Sequence, residues 1–374
     1  MAGVYIHIPF CRKACHYCNF HFSTSNQLQE SFVTALLQEI ELRKTYFSEP
    51  VSTIYFGGGT PSILPSADIK RILASLTRTF VVNSDAEITL EANPDDITRE
   101  KLQEWKEIGI NRLSIGIQSF FEEDLEWMNR AHNASQAIRC IQLAHDAGFH
   151  NLTIDLIYGT PTLNDENWKK NVETAIALQI PHLSCYALTV EPKTALEKLI
   201  KQKTLADVDA EKQARHFELL MQWAKDGGYD HYEISNFARP GFRSRHNSSY
   251  WQGKQYIGLG PSAHSFNGYS RQWNIANNAL YIQSLSKGTI AAEEEILTKE
   301  QQLNEYIMTS LRTMEGLSLQ KVMKDFGEDK HHMVLKTANS HIQRNHLALE
   351  DHHLKTTSSG KLLADGIAAD LFVL

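Results

Sequence analysis

Short β-rich runs alternate with amphipathic helical stretches from the start of the chain to Tyr232, and this alternation limits the fold more than any other feature. The strand candidates are Val4–Ile8, Thr53–Phe56, Glu87–Glu91, Arg112–Ile117, Asn151–Ile157 and His182–Ala187. The helical stretches between them are Gln29–Thr45, Ala67–Thr79, Arg99–Gly109, Ser135–Ala147 and Glu166–Leu178. Each stretch is long enough to connect two parallel strands. We therefore predict an α/β fold, a partial (β/α)6 barrel, with a doubly wound open sheet as the structural alternative.

The chain changes character after this alternating region. A stretch rich in glycine and aromatic residues runs from Asn236 to Trp273. Beyond Thr298 the pattern predicts helices and a short β-prone end, at Lys299–Met314, Leu319–Asp325, His331–Asn345 and His353–Thr357. This order is typical of a small α-rich, winged-helix-like domain. We predict three segments: a barrel over residues 1–235, an extension over 236–297 and a C-terminal domain over 298–374.

The composition and net charge limit which partners and which cellular location we expect for this chain. A net charge of −7 gives no broad phosphate-binding surface, so we expect no nucleic acid partner. No apolar run is long enough to predict a membrane span. The first residues lack the basic start, apolar stretch and cleavage site of a signal peptide, so we expect a cytoplasmic protein.

Three of the five cysteines lie close together near the N-terminus. Cys11, Cys15 and Cys18 form a CxxxCxxC motif directly after the first predicted strand, whereas Cys140 and Cys185 stand alone in apolar segments. An iron–sulfur cube held by three thiolates leaves one iron without a protein ligand. The alternative is a zinc-binding interaction protein, in which His16 and His21 complete the site. Both readings make the three cysteines metal ligands.

Polar and glycine residues follow several of the other strands. A Gly57–Thr60 turn ends the second strand, Glu91 ends the third, Gln118 ends the fourth, and Asp155 lies in the fifth. The carboxyl ends of parallel barrel strands meet at one rim, so these groups are expected to lie near Cys11. The turn lacks the lysine of a P-loop and the GxGxxG pattern, which disfavours a phosphate cradle.

Several motifs together resemble the HemN/HemW family, the radical-SAM coproporphyrinogen dehydrogenases and haem chaperones. They are Tyr5-Ile6-His7-Ile8-Pro9-Phe10-Cys11, Gly57-Gly58-Gly59-Thr60-Pro61-Ser62, Glu91-Ala92-Asn93-Pro94, Gly116-Ile117-Gln118-Ser119-Phe120 and Asp155-Leu156-Ile157-Tyr158-Gly159. The resemblance covers nearly the whole chain. It implies a [4Fe–4S] cluster on the three cysteines, with S-adenosylmethionine bound to the open iron.

The resemblance also assigns site residues. Tyr5, Gly58 and Glu91 match positions that contact this S-adenosylmethionine. A second group matches positions that contact a second molecule in the oxidase, and it consists of Tyr17, Gly59, Thr60, Gln118, Arg130 and Asp155. By a weaker alignment, His264 also reaches the site.

Three features place the chain in the haem chaperone branch of the family. The oxidase has a fourth cysteine two residues after the third, where this chain has Phe20. The oxidase also has an N-terminal extension, whereas this sequence starts at the strand. The run His246-Asn247-Ser248-Ser249-Tyr250-Trp251 matches the HNxxYW motif of the chaperones, which implies that His246 binds haem iron.

The resemblance implies two functions from different classes. The first is a chaperone that binds haem and transfers it to a respiratory haem protein, with the cluster and S-adenosylmethionine controlling the transfer. The second is an oxygen-independent coproporphyrinogen III dehydrogenase, which forms protoporphyrinogen IX. Implied partners are haem, a haem-acceptor protein, a reductant such as a flavodoxin or ferredoxin, and membrane proteins contacted at the periphery. Whether the protein is an enzyme is left open by these features.

Overall fold

The computed structural model of the protein describes residues 2–373. Its strands are β1 (Ala2–Ile8), β2 (Val51–Gly58), β3 (Val82–Ala92), β4 (Arg112–Gln118), β5 (Leu152–Tyr158), β6 (His182–Ala187), β7 (Asp230–Glu233), β8 (Asn236–Ala238), β9 (Tyr256–Leu259), β10 (His264–Phe266), β11 (Ser270–Asn274), β12 (Ala292–Ile296), β13 (Leu317–Ser318), β14 (Leu347–Glu350) and β15 (His353–Thr356). All six predicted barrel strands are present, so this part of the prediction is confirmed.

The helices of the first half are α1 (Gln29–Leu42), α2 (Ser66–Thr79), α3 (Arg99–Glu107), α4 (Glu122–Trp127), α5 (Ala134–Asp146), α6 (Asp165–Ala177), α7 (Ala195–Lys201) and α8 (Ala210–Asp226). Those of the second half are α9 (Arg245–Trp251), α10 (Asn278–Ser286), α11 (Lys299–Leu311), α12 (Leu319–Phe326), α13 (Glu328–Gln343), α14 (Ser358–Lys361) and α15 (Ala364–Asp370). Short 3₁₀ helices cover Pro61–Ile63 and Pro94–Asp96. No helix within residues 2–373 is long and apolar enough to cross a membrane.

The six barrel strands are parallel and stand in the sheet in chain order, β1-β2-β3-β4-β5-β6. A doubly wound sheet reverses its strand order at a switch point, and no reversal occurs among these six strands. The topology is therefore that of a partial (β/α)6 barrel, and the doubly wound alternative is wrong. Antiparallel β8 and β7 extend the sheet beyond β6.

The other edge of the barrel is extended by the region that follows α9. Strand β9 pairs with β1 in parallel, and β10, β11 and β12 continue the sheet in antiparallel order. The sequence showed only a glycine- and aromatic-rich stretch here. These strands are short and their partners are distant in the chain, so local periodicity could not reveal them.

Burial explains why the barrel strands form. Strands β1 and β2 are buried almost throughout, because helices cover one face and the barrel interior the other. Trp105 of α3 and Trp168 of α6 are fully buried between the helices and the sheet. At about 25 cal/mol per Å², the roughly 150–250 Å² that such a side chain buries contributes up to about 4–6 kcal/mol. The apolar face of each crossover helix thus packs against the sheet and stabilises it.

Residues from α11 onward form a C-terminal module with its own apolar core. Its order α11-β13-α12-α13-β14-β15, with the sheet order β13-β15-β14, is that of a winged helix. The predicted fold class is therefore confirmed, although β13 and β14 were not foreseen. The division at residues 1–235, 236–297 and 298–374 stays a prediction, and its limits at residues 1 and 374 lie outside the described residues.

Candidate cluster and cofactor site

The cysteine loop leaves the carboxyl end of β1. Its base is fixed by backbone bonds to Ser23, whose carbonyl accepts from the Cys11 N–H at 3.0 Å and whose N–H donates to the Pro9 carbonyl at 2.9 Å. Within the loop, the Cys18 N–H donates to the Cys15 carbonyl at 3.4 Å. Cys11 is buried, Cys15 and Cys18 are partly buried, and all three line one cavity.

Two polar groups act on the thiols. The Thr60 hydroxyl donates to the Cys11 Sγ at 3.5 Å, and the Arg130 guanidinium donates to the Cys15 Sγ at 3.2 Å. Burial raises the pKa of Cys11 to about 11 and also raises the pKa of Cys18. These thiols therefore hold their protons in the metal-free protein, and metal binding must release them.

The glycine turn after β2 packs directly against the cysteine loop. The Gly59 N–H donates to the Ile8 carbonyl at 2.8 Å, and the Thr60 N–H donates to the Phe10 carbonyl at 2.7 Å. A Cβ atom on Gly59 would lie 2.7 Å from the Phe10 oxygen and 3.0 Å from the Cys11 Sγ. Gly58 has φ of 105°, a conformation that favours glycine. Only glycine leaves this space beside Cys11.

Two partly buried carboxyl groups face the same cavity. Glu91 accepts a hydrogen bond from the Tyr55 hydroxyl at 2.7 Å, and burial raises its pKa to about 8 despite that bond. Burial likewise raises the pKa of Asp155 to about 7. Carboxyl groups that are desolvated and form no ion pair within residues 2–373 suit a ligand that brings positive charge or hydroxyl donors.

Arg130 joins the cysteine loop to the ends of β3 and β4. Besides Cys15, its guanidinium donates to the Tyr17 hydroxyl at 3.4 Å, to the Asn93 side chain at 2.7 Å and to the Gly116 carbonyl at 2.9 Å. Its Nε is buried and has no hydrogen-bond partner within residues 2–373. The structure therefore brings together most predicted site residues on one cavity: Cys11, Cys15, Tyr17, Cys18, Gly58, Gly59, Thr60, Glu91, Gln118, Arg130 and Asp155.

The two histidines that could complete a zinc site are hydrogen-bonded elsewhere. His16 bonds the Trp127 carbonyl at 3.0 Å, and His21 bonds the Asn278 side chain at 2.7 Å. Within residues 2–373, no group of three His, Cys, Asp or Glu side chains is arranged to hold one metal ion. A zinc ion needs its ligands at about 2.0–2.3 Å, whereas a four-iron cube separates its three cysteines much further. Three cysteines that line one cavity supply the number of thiolates that a cube with one open iron needs.

Tyr5 and His246 are not among the residues that line the cavity. The Tyr5 hydroxyl is 3.2 Å from the His7 Nδ1, and its ring stacks on Tyr55 with centroids 6.1 Å apart. His246 is 1% exposed and lies beside Gly3 of β1 and Thr53 of β2. Predicted His264 is exposed and stacks on Trp273. The contacts assigned to these three residues stay predictions.

The imidazole of His246 is fully engaged. Its Nδ1 is 2.8 Å from the Thr53 hydroxyl, and its Nε2 is 2.8 Å from the Tyr250 hydroxyl. Its ring stacks on Tyr55 at 4.9 Å. Burial lowers its pKa to about 3, so the ring is neutral at physiological pH. Binding iron through His246 would require one of these hydrogen bonds to break.

The cavity is larger than the predicted site. It has a volume of about 1180 Å³ and reaches from the cysteines to the C-terminal module. Sequence reasoning missed the residues that the module and its junction contribute, including Arg312, His341, Arg344, His346 and Lys361. None stands in a motif, so no local signal could have placed them there. Typical small-molecule sites measure about 300–1,000 Å³, so this cavity has room for more than one ligand.

Comparisons with known proteins agree with this geometry. Residues 5–175 match the family model of the Radical SAM superfamily, and residues 297–363 match that of the HemN C-terminal domain. A solved structure of coproporphyrinogen III oxidase (HemN) from Escherichia coli, a radical SAM enzyme, has a TM-score of 0.86 at 24% identity and covers 100% of this chain and 90% of that one. This likeness shows that the two proteins share a fold.

Several relatives of higher sequence identity are named heme chaperone HemW. The chain is 33% identical over 371 residues to the heme chaperone HemW of Bacillus subtilis, covering 98% of each chain. It is 34% identical over 375 residues to HemW of Mycobacterium tuberculosis, covering 99% of this chain and 94% of that one. It is 37% identical over 265 residues to HemW of Escherichia coli, covering 70% and 69%. On this likeness along nearly its whole length, the chain belongs to the HemW family of radical SAM proteins.

Proposed function

We propose that this protein is a haem chaperone, which binds haem and transfers it to haem-dependent respiratory proteins. The observation that carries the proposal is the cavity of about 1180 Å³, where exposed aromatic side chains stand beside the three cysteines. Phe20 is 66% exposed and Tyr186 is 42% exposed, and both line it. Exposed aromatic surface in a concave site suits a flat apolar ligand such as a porphyrin.

Phe20 also separates the two functions considered from the sequence. The oxidase carries a fourth cysteine at this position, whereas here an apolar ring faces the cavity. The names of the relatives point the same way. We therefore favour the chaperone and treat coproporphyrinogen dehydrogenation as the outcome that would replace it.

The polar end of the cavity is proposed to hold the cluster and S-adenosylmethionine. When bound, a cluster with an open iron supplies an electron and a coordination position for the amino and carboxylate groups of S-adenosylmethionine. Cys11, Cys15 and Cys18 would hold it, and the Gly58–Thr60 turn lets the ligand approach the backbone. Glu91, oriented by Tyr55, would accept hydrogen bonds from the ammonium or ribose hydroxyls.

The remaining groups at this end would act on the same ligand. Asp155 and Gln118 face the cavity from neighbouring strands and can accept or donate hydrogen bonds there. Arg130, held by Asn93 and Gly116, keeps positive charge beside Cys15. The partners proposed from the family are a haem-acceptor protein, a flavodoxin- or ferredoxin-type reductant and membrane proteins contacted at the periphery. The proposed location of the protein is the cytoplasm.

The test starts from anaerobically reconstituted protein. Iron and sulfide analysis with an EPR spectrum, recorded with and without S-adenosylmethionine, checks the cluster and its open iron. Haem transfer is then followed by absorbance, from the loaded protein to an apo-haemoprotein of the respiratory chain. We expect a cluster signal that S-adenosylmethionine changes, and transfer faster than from free haem.

Two controls make the test specific for the cluster and for haem transfer. A variant with Cys11, Cys15 and Cys18 replaced by serine should lose the cluster, and a variant with Cys140→Ser and Cys185→Ser should keep it, because these two cysteines are buried elsewhere. In parallel, the wild type is incubated with coproporphyrinogen III, reductant and S-adenosylmethionine. Robust formation of protoporphyrinogen, without haem transfer, would replace the chaperone by the dehydrogenase.

A further inference from the structure

Arg130 brings a positive charge into contact with the cysteine loop. It follows α4, is partly buried and lines the cavity that also contains the three cysteines. Its Nη1 donates to the Cys15 Sγ at 3.2 Å and to the Tyr17 hydroxyl at 3.4 Å. Thr60, which donates to the Cys11 Sγ, is a neutral donor, whereas Arg130 is charged. Charge-assisted hydrogen bonds are the stronger kind, so Arg130 is the stronger of these two donors.

The guanidinium of Arg130 is fixed by two neighbouring strands. Its Nη2 donates to the side chain of Asn93, just after β3, at 2.7 Å, and to the Gly116 carbonyl of β4 at 2.9 Å. Each terminal nitrogen therefore has two acceptors, and the planar group cannot turn away from Cys15 without breaking these bonds. The contact with the sulfur is thus set by the barrel as well as by the loop.

The segment just before this arginine is bonded to the cysteine loop on both sides of Cys15. The Asn129 side chain donates to the Ala14 carbonyl at 2.8 Å, and the His16 N–H donates to the Met128 carbonyl at 3.2 Å. These two bonds keep the backbone of the loop beside the backbone that carries the guanidinium. The donor and the sulfur are therefore held together by backbone and side-chain contacts at once.

We propose that Arg130 tunes the proposed cluster by donating to the Cys15 sulfur, which raises the reduction potential of the cluster. The proposal rests on the proposed cluster and describes how one side chain regulates it. Reduction adds one electron, supplied by the proposed flavodoxin- or ferredoxin-type reductant, and no bond to the protein forms or breaks. The reduced cluster thus carries one more negative charge. A nearby cation and a hydrogen bond to a ligand sulfur stabilise that charge.

The experiment is an EPR-monitored redox titration of the anaerobically reconstituted full chain, with dithionite as the reductant. It is made without S-adenosylmethionine, so that a contact of Arg130 with that molecule does not affect the result. The variants are Arg130→Gln, which removes the charge, and Arg130→Lys, which keeps the charge and loses the planar fork. The matched control is Arg139→Gln, at an exposed arginine of α5 outside the cavity.

We expect Arg130→Gln to lower the midpoint potential, because the reduced cluster loses a nearby positive charge. At a fixed applied potential, the ratio of reduced to oxidised cluster should fall about tenfold or more, which corresponds to a shift of about 59 mV for one electron. The potential of Arg130→Lys should lie between those of Arg130→Gln and the wild type. Arg139→Gln should keep the wild-type potential.

Iron and sulfide analysis of each variant separates the outcomes. A wild-type potential in cluster-loaded Arg130→Gln would overturn the proposal. If Arg130→Gln takes up no cluster, Arg130→Lys decides, and a wild-type potential there would overturn it. Loss of the cluster in both variants would overturn it as well, because Arg130 would then act only on the structure of the site. If the wild type takes up no cluster, the proposed cluster itself fails, whereas haem transfer is judged by its own test.

Discussion

At the scale of single residues, two carboxyl groups of the site have pKa values above the usual range for a carboxyl group. Glu91 lies near the carboxyl end of β3 and Asp155 lies in the middle of β5, with β4 between them, and desolvation raises their pKa values to about 8 and about 7. Neither forms an ion pair in the described part of the chain. A ligand that brings an ammonium group would supply the missing charge and draw the proton from Glu91. Binding of such a ligand is therefore coupled to proton release.

We predict that Glu91→Gln flattens the dependence of stability on pH. The folded protein keeps a proton on Glu91 up to a pKa of about 8, whereas the unfolded chain releases it near 4.5. Between these values, the free energy of unfolding falls as pH rises, because the unfolded state binds fewer protons. In the variant this fall should shrink by on the order of 2 kcal/mol between about pH 5 and pH 8.

Urea unfolding of the metal-free protein at both pH values checks this prediction. Glu218→Gln, on the exposed face of α8, is the matched control and should keep the wild-type slope. The same pH dependence in Glu91→Gln and the wild type would show that Glu91 is ionised in the folded protein.

The sequence could place the cysteines, the glycine turn and the two carboxyls on one rim, and the structure brings them together. The reason is general, because parallel strands in chain order bring their carboxyl ends to one edge. His246 shows where this reasoning stops. Its motif suggests an iron ligand, but its partners Thr53 and Tyr250 depend on how α9 enters the barrel. Motif spacing carries no information about that entry.

At the scale of elements, α9 connects the barrel interior to the C-terminal module. Glu87 of β3 accepts hydrogen bonds from the N–H groups of Arg245 and His246, at the positive end of this helix. At its other end, Trp251 packs under the guanidinium of Arg312, 5.2 Å from the ring centroid. The HNxxYW run thus spans from the interior of the barrel to a residue that lines the cavity.

The glycine turn after β2 gives a second prediction at this scale. In Gly59→Ala, the new Cβ would lie 2.7 Å from the Phe10 oxygen and 2.8 Å from the Ile8 oxygen. Both atoms belong to the backbone that carries Cys11, so the cysteine loop must move. We expect lower iron content after reconstitution and a loss of stability of about 1–3 kcal/mol.

Iron and sulfide analysis, together with thermal unfolding of the metal-free protein, measures both effects. Gly366→Ala in α15 is the control, since a Cβ there meets no atom within 4 Å. It should keep the iron content of the wild type. Wild-type iron content in Gly59→Ala would show that the loop tolerates the shift.

At the scale of the whole molecule, the cavity exists because the C-terminal module is fixed against the barrel. The Ile234 N–H donates to the Arg312 carbonyl, and the Met314 N–H donates to the Tyr232 carbonyl, both at 3.0 Å. These bonds join β7 to the chain just after α11. The fold class could be predicted from periodicity, but this junction could not, because it pairs residues about 80 positions apart in the chain without a strand-length pattern.

Arg312 is the side chain that holds this junction. Its guanidinium bonds Glu233, which is 2% exposed, at 3.1 Å, and Asp365, whose side chain is 81% exposed, at 2.9 Å. Arg312→Met would leave the buried Glu233 charge without its cation, whereas Asp365→Asn removes only an exposed partner. We expect a loss of about 2 kcal/mol or more for the first change and less than about 1 kcal/mol for the second.

Hydrogen exchange of the backbone amides tests where this loss appears. Because Arg312 acts at the junction, Arg312→Met should speed exchange at Ile234 and Met314 and weaken haem binding, while the effect of S-adenosylmethionine on the cluster signal persists. Asp365→Asn should leave amide exchange, haem binding and the effect of S-adenosylmethionine close to those of the wild type. Loss of the S-adenosylmethionine effect together with haem binding would mean that the junction supports the barrel site as well. If haem binding is lost while the S-adenosylmethionine effect is kept, the haem, and not the cluster, lies between the barrel and the C-terminal module.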